Sequence, residues 1–193
     1  MAWHGAWPDP LDTMKQPLRI AIVLKKNIIQ MRVVVSIIAV LISLDSLKAQ
    51  SELRIGDFAP EFEKTSLEGS TIKLNRIESE LILLDFWAGW CKPCIKTIKS
   101  TLTPLYNKYN RNQLEIIGVS YDKSNEKWVK SIDKFDVPWK HIYDANDHDL
   151  FKKYSIEIIP TYYLIDRRGM IVGSKILSSE LEKTVDSYFQ KKD

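Results

Sequence analysis

The sequence predicts an α/β fold, in which a central mixed β-sheet carries helices on both faces. Strands and helices alternate through the first part of the region beyond residue 50, a pattern typical of strands joined by crossover helices. Later in the chain, the short strand patterns 161–166 and 170–173 flank a turn at Gly169 and indicate an antiparallel hairpin. Parallel and antiparallel pairings together give a mixed sheet.

The chain begins with features of an export signal. Residues 33–44 form a twelve-residue apolar run, which is shorter than the roughly 20 residues that cross a bilayer but matches the core of a signal peptide. Arg32 supplies the positive flank, and Ala49 supplies a small residue before a cleavage point. Met31 is the natural start of such a signal.

These features divide the chain into three segments. We expect residues 1–30 to reflect an over-extended gene start, residues 31–49 to be the signal peptide, and residues 50–193 to be a periplasmic or cell-envelope domain. The alternative is a retained anchor over residues 18–44, which would be the only link to a membrane. Six basic and three acidic residues before Ala49 account for the whole charge of +3, so the charge gives no support for nucleic-acid binding.

An N-terminal β extension is the first predicted element of the domain. Residues 62–65 and 71–74 have short strand patterns on either side of a turn at Gly69. Residues 81–87 follow as an almost continuous apolar run. Because the hydrophobicity does not alternate, we predict a central strand that is covered on both faces.

Helices and strands then alternate. We predict a helix over residues 92–109 that bends near Pro104, and a second central strand over residues 114–120. Ser124 is placed to cap the next helix. The apolar face of that helix consists of Trp128, Ile132 and Phe135.

The last part of the chain contains shorter elements. Residues 141–143 have the pattern of a short strand, and residues 147–154 that of a short helix. The hairpin 161–173 comes next. An amphipathic helix closes the domain, with an apolar face predicted from Leu177, Leu181, Val185 and Tyr188.

The two cysteines of the chain, Cys91 and Cys94, lie where the strand 81–87 gives way to a helix, a position that favours redox chemistry. Positive partial charge at a helix N-terminus favours the thiolate of Cys91, and Lys92 adds further positive charge. Cys94 is one turn further on and can close a small disulfide ring. Pro93 is tolerated in a first helical turn. A disulfide between residues so close in sequence constrains little chain, so reactivity explains the pair better than stapling.

Zinc binding is the alternative use of a C-x-x-C pair. A structural zinc site needs four ligands, and there is no second cysteine pair. The only histidines beyond residue 50 are His141 and His148, which we expect to be surface or hydrogen-bonded polar residues. We therefore expect no metal and no other cofactor.

Residues 87–94, Trp-Ala-Gly-Trp-Cys-Lys-Pro-Cys, resemble the thioredoxin superfamily. Residues 158–166, Ile-Ile-Pro-Thr-Tyr-Tyr-Leu-Ile-Asp, are similar to the cis-proline loop that packs beside the active cysteines in that superfamily. The entry over residues 56–62 and the inserted helix at 124–135 resemble the exported TlpA/ResA-like branch. The resemblance covers about residues 52–190 and implies a thioredoxin-like fold.

The resemblance also implies roles for individual residues. Cys91 matches the attacking thiolate, Cys94 the resolving thiol, and Asp85 the buried acid that assists proton transfer from the resolving cysteine. The chain departs from the exported branch at Thr97 and Lys99, where that branch often has Glu and Pro, so Asp85 becomes the main candidate acid. The expected substrate-binding residues are Trp90, Lys92, Pro93, Ile159, Pro160 and Thr161, while Trp87 is expected in the core.

The function predicted by these features is that of an exported thiol–disulfide oxidoreductase. It would exchange the Cys91–Cys94 dithiol or disulfide with partner proteins as a reductant, act as a monomer, and receive electrons from an upstream membrane donor. One alternative is a thiol peroxidase of the peroxiredoxin type, but Ala88 stands where peroxiredoxins have Thr. The other is a redox-inert thioredoxin-like binding module, against which the complete cysteine pair and proline loop argue.

Overall fold

A computed structural model describes residues 30–32, 34–37, 52–144 and 148–191. The chain divides into two units, residues 1–51 and 52–193. The described residues of the first unit are helical, and within the described ranges no helix has both the length and the apolar character needed to cross a membrane. Most of the predicted signal peptide, including Ala49, lies outside the described residues, so the segment boundaries stay predictions.

The second unit contains the following elements in chain order, with a 3₁₀ turn at Leu74–Arg76 after the second strand: β1 Glu63–Thr65, β2 Thr71–Lys73, β3 Leu81–Trp87, α1 Lys92–Thr97, a π-helical segment Ile98–Leu102, α2 Thr103–Lys108, β4 Leu114–Ser120, α3 Asn125–Phe135, β5 Lys140–Tyr143, α4 Asp149–Lys153, β6 Thr161–Asp166, β7 Ile171–Ile176 and α5 Leu181–Gln190.

The main sheet has the strand order β5-β4-β3-β6-β7. Strands β3, β4 and β5 run parallel, whereas β6 is antiparallel to both β3 and β7. Strands β1 and β2 form a separate antiparallel pair. The predicted mixed sheet, late hairpin and N-terminal β extension are therefore confirmed.

Strand β3 has a core on each side, which explains its continuous hydrophobicity. Leu81, Leu83 and Trp87 point into a core that also contains residues of α1, α2, α3 and α5. The intervening residues 82, 84 and 86 point into a second core, which α4 and the β1–β2 pair help to form. Helices thus lie on both faces of the sheet, as predicted.

The helix predicted over residues 92–109 is interrupted by the π-helical segment. Pro104 has no N–H with which to bond the carbonyl of Ser100, and its ring crowds that carbonyl. The preceding turn is wider, because the Thr103 N–H donates to Ile98 O, five residues back. The irregularity lies just before Pro104, where the sequence predicts a bend.

Two predicted boundaries are wrong at the C-terminal end. Strand β7 continues to Ile176 rather than ending at Gly173, and α5 begins only at Leu181. Leu177 follows β7 directly and lies in a turn in which its carbonyl accepts from the Glu180 N–H. Its side chain is 63% exposed, so it does not belong to the apolar face of the closing helix.

Candidate active site

The two cysteines form a disulfide at the carboxyl end of β3, where the chain turns into α1. Their Cα atoms are 5.2 Å apart. Cys91 is the N-cap of α1, and its Sγ accepts a hydrogen bond from the Cys94 N–H at 3.2 Å. Pro93 occupies the first turn, where its missing N–H costs no helical hydrogen bond. Both cysteines are buried, Cys91 with 4% and Cys94 with 1% of its surface exposed.

Asp122 anchors the loop that precedes Cys91, and sequence reasoning did not find it. Its Oδ2 accepts from the Gly89 N–H at 2.9 Å and from the Ser120 hydroxyl at 2.9 Å. A signal for Asp122 was nevertheless present in the sequence. Because the parallel strands β3 and β4 end at the same edge of the sheet, a polar residue just after β4 can contact the loop after β3. A side chain at Gly89 would collide with Ser131, because an added Cβ would lie 1.9 Å from Ser131 Oγ.

Asp85 lies in the middle of β3, on the face that carries both cysteines. Only 1% of its surface is exposed, and neither carboxylate oxygen has a hydrogen-bond partner among the described residues. Burial without compensation raises the pKa of Asp85 to about 8. The prediction of a buried acid with an elevated pKa is confirmed. At neutral pH this carboxyl group is mostly protonated and can exchange a proton.

The groups beside Asp85 are uncharged, which keeps its pKa high. Tyr162 on β6 and Gly118 on β4 lie opposite Asp85, and His141 lies opposite Gly118 on β5. Burial, reinforced by the nearby charge of Asp85, raises the pKa of Tyr162. Burial lowers the pKa of His141 to about 4, so that its imidazole is neutral at pH 7.

The histidines differ from the expectation of surface or fully bonded side chains. His141 is buried beside Trp87, with ring centroids 5.7 Å apart. Its Nε2 lies 3.3 Å from Val137 O, but its Nδ1 has no hydrogen-bond partner within the described part of the chain. His148 is half-buried and its ring lies against Tyr121 at 4.4 Å. No group of three or more metal-ligating side chains occurs within the described residues.

The proline loop lies at the same edge of the sheet as the cysteines. The Ile159–Pro160 bond is cis, as predicted. Thr161 pairs with Phe86, so the start of β6 adjoins the end of β3. Thr161 is buried, and its Oγ1 donates to Ile158 O at 2.7 Å, which closes the loop from within. Ile159 packs against the core that contains both cysteines.

Several side chains that adjoin the cysteines or the proline loop in the sequence are exposed, and we call them the rim of the site. Trp90 is 60% exposed, whereas Trp87 is fully buried, as expected from the sequence. Lys92 and Pro93 are exposed in the first turn of α1. Ile158 is 75% exposed, and sequence reasoning did not include it among the site residues.

Thr97 occupies the place where the exported branch often has a glutamate. Its side chain is buried, and its Oγ1 donates to Pro93 O at 3.2 Å. It therefore supports the first turn of α1 and brings no carboxyl group to the cysteines. Asp85 remains the acid on the cysteine-bearing face of the sheet.

Several known proteins are similar to this chain in sequence. The sequence profile of the AhpC/TSA family matches residues 55–174. A thiol-disulfide oxidoreductase ResA from one strain of Bacillus cereus is 31% identical over 142 residues, which are 74% of this chain and 80% of that protein. A ResA from a second strain of the same species is 29% identical over 173 residues, covering 87% of this chain and 98% of that protein.

Solved structures agree with the sequence relatives. The thioredoxin domain of a thiol-disulfide oxidoreductase from Bacteroides vulgatus superposes with a TM-score of 0.64 at 29% identity, covering 71% of this chain and 99% of that one. A thiol:disulfide interchange protein from a Bacteroides species gives the same TM-score of 0.64 at 29% identity, with 72% and 91% covered. The chain therefore belongs to the AhpC/TSA family, has a thioredoxin-like fold and is a protein thiol–disulfide oxidoreductase.

Proposed function

We propose that the protein is exported and that its Cys91–Cys94 pair reduces disulfides in partner proteins. The observation that carries this proposal is the disulfide at the start of α1, beside an exposed apolar rim. Trp90 and Ile158 offer apolar contacts to a partner, and the loop before β6 offers backbone groups to an extended peptide. Export is supported by the signal-like run at residues 33–44.

The reaction starts from the reduced pair. The Cys91 thiolate attacks one sulfur of the partner's disulfide, and the other partner sulfur leaves as a thiolate that takes up a proton. Cys94 then loses its proton and attacks Cys91 Sγ. This forms the Cys91–Cys94 disulfide and releases the second partner thiol. Two electrons pass to the partner, and an upstream membrane donor returns the protein to the dithiol state.

Asp85 is the proton acceptor for Cys94 in this scheme, directly or through one water. A general base works best when its pKa lies near the operating pH, and the value of about 8 for Asp85 leaves part of the population ionised at neutral pH and able to accept the Cys94 proton. An ordinary exposed aspartate, with a pKa of about 3.9, would be a much weaker base.

Insulin reduction in the presence of dithiothreitol tests the activity. We expect the mature domain, residues 50–193, to accelerate insulin precipitation, and Cys91→Ser and Cys94→Ser to give only the background rate. A wild-type rate equal to background would indicate a redox-inert binding module instead. Peroxide consumption that exceeds disulfide exchange would indicate a thiol peroxidase.

Export is tested by expression from Met31. We expect the mature protein to be recovered from the periplasm or cell envelope with Gln50 as its first residue. An intact leader in the membrane fraction would show that residues 18–44 serve as an anchor.

A further inference from the structure

Charge is distributed unevenly around the active disulfide. Residues 86–113 contain five basic residues and no acidic residue. The remaining charges of the domain compensate, since the region from Gln50 onward is formally neutral. The positive segment contains both cysteines and the helix that begins at them.

Two of the five basic side chains have partners within the protein. Lys108 Nζ lies 2.7 Å from Asp186 Oδ2. The Arg111 guanidinium stacks on the Tyr106 ring at 3.6 Å and donates to main-chain carbonyls. These contacts stabilise α2 and the loop that follows it.

The other three, Lys92, Lys96 and Lys99, are exposed and form no ion pair among the described residues. Their spacing of four and then three residues places them along one side of the helix. We call these three residues the lysine face. Lys99 Nζ also lies 5.7 Å from the centre of the Phe135 ring.

The positions of these three lysines do not favour the helix electrostatically. Cations near a helix N-terminus oppose the helix dipole, and like charges four residues apart repel each other. Lys92 adjoins Cys91 and can favour its thiolate, but Lys99 is about 10 Å further along the axis, at a rise of about 1.5 Å per residue. That distance exceeds the Debye length of about 8 Å at physiological ionic strength, so Lys99 acts weakly on the thiolate.

The part of the rim beside the proline loop carries a different charge. Glu157 and Ile158 are exposed just before the proline loop, and Trp90 is exposed just before Cys91. A partner that crosses the disulfide therefore meets three positive charges on the helix side and a carboxylate on the loop side. This arrangement complements acidic groups on the part of the partner that lies along α1.

We propose that the lysine face selects partner proteins in which the reactive disulfide is flanked by aspartate or glutamate side chains. The inference rests on the proposed function, because the partner must first be a protein disulfide. An extended chain covers about 10 Å in three residues, so the acidic residues lie within about three positions of the attacked cysteine. Attraction between opposite charges speeds the encounter and holds the acidic segment along α1.

Two synthetic peptides test this inference. They share one internal disulfide and differ only in the flanking residues, which are glutamates in one and lysines in the other. The reduced mature domain is mixed rapidly with each, and oxidation of the protein is followed by tryptophan fluorescence. We expect the acidic peptide to react about 10-fold faster at about 20 mM salt, and about 2-fold faster at about 500 mM salt.

Charge reversal shows whether the preference for the acidic peptide depends on the lysine face. In the double variant Lys96→Glu/Lys99→Glu we expect the ratio of the two rate constants to fall to about one or to invert. The matched control is Lys152→Glu/Lys183→Glu, which changes the net charge equally at exposed positions on α4 and α5. This control should keep the wild-type ratio.

Other outcomes overturn the inference in distinguishable ways. Equal, salt-independent rates for both peptides would refute it and leave the proposed function standing, whereas reduction of neither peptide would refute both. A charge reversal that slows both peptides alike would mean that the lysines only activate the thiolate. Binding to phosphatidylglycerol vesicles through these lysines, with no preference between peptides, would assign them to a membrane surface.

Discussion

Replacement of Asp85 by asparagine separates the cost of burying this acid from its use in the reaction. The folded protein holds the Asp85 proton up to a pKa of about 8, whereas the unfolded chain loses it near the usual value of about 3.9. Between these values the folded state binds more protons than the unfolded state. The free energy of unfolding of the wild type therefore falls as the pH rises from about 4 to about 8.

The structure sets the size of this effect. A difference of about four pH units, at about 1.4 kcal/mol each, gives an upper limit of about 5 to 6 kcal/mol at and above pH 8. Water that enters the core around a charged Asp85 would reduce this cost. We expect Asp85→Asn to be more stable than the wild type by at least about 2 kcal/mol at pH 8, and by little at pH 4, because the amide does not ionise.

Urea denaturation of the oxidised proteins at a series of pH values measures the effect. Asp186→Asn is a control of opposite sign. Burial raises the pKa of Asp186, but hydrogen bonds from Lys108 and Tyr109 outweigh burial and lower it. That carboxylate stabilises the fold above its unfolded pKa and loses this effect in acid, so the Asn variant should be less stable at neutral pH. Parallel stability curves for Asp85→Asn and the wild type would refute the reasoning.

The cysteines and the residues around them lead to three more predictions. Cys94→Ser should accumulate mixed disulfides with partner proteins on non-reducing gels, and Cys91→Ser should not, because only the former keeps the attacking sulfur without an internal escape. Gly118→Ala should lower the free energy of unfolding by about 1 to 3 kcal/mol in urea titrations, since its Cβ would lie 2.6 Å from His141 Nδ1. Asp122→Ala should lower the free energy of unfolding by about 1 to 3 kcal/mol in the same titrations and slow insulin reduction, because the loop before Cys91 loses its anchor. An unchanged free energy of unfolding and an unchanged rate of insulin reduction would contradict that role.

Much of the fold could be predicted from the sequence because its central strands have strong local signals. The bounds of β3, β4 and β6 agree with the prediction, since each is an apolar run buried on both faces and bounded by polar or turn residues. Ser124 caps α3, with its Oγ accepting from the Lys127 N–H at 3.2 Å. Such signals come from neighbouring residues in the sequence, so they can be recognised without knowledge of the tertiary structure.

The misses occur where distant residues decide the local structure. The sequence predicts that the last strand ends at Gly173, but this glycine allows close packing inside β7. An added Cβ would lie 2.6 Å from Ile176 Cδ1 and 3.2 Å from Leu164 Cβ. The β6–β7 pairing also shifts register on either side of Leu164, and Lys175 has a positive φ of 47°. A pattern of period two cannot reveal such irregularities.

The candidate site shows the same division. Cys91, Cys94 and Asp85 could be selected from local sequence and the family resemblance, and the structure places the cysteines just beyond the carboxyl end of β3 and Asp85 within that strand. The burial of His141 could not be predicted, because nothing in its own segment shows that Trp87 and Gly118 lie beside it. Those contacts are made across neighbouring strands of the sheet.

The reduction potential of the Cys91–Cys94 pair tests the central claim most directly. It is obtained by equilibrating the mature domain with dithiothreitol or glutathione buffers and following the fraction oxidised by tryptophan fluorescence. We expect a low potential near that of thioredoxin, about −270 mV, at which the dithiol donates electrons to partner proteins. A potential near about −120 mV would contradict it, because the disulfide would then act as an oxidant of partner thiols.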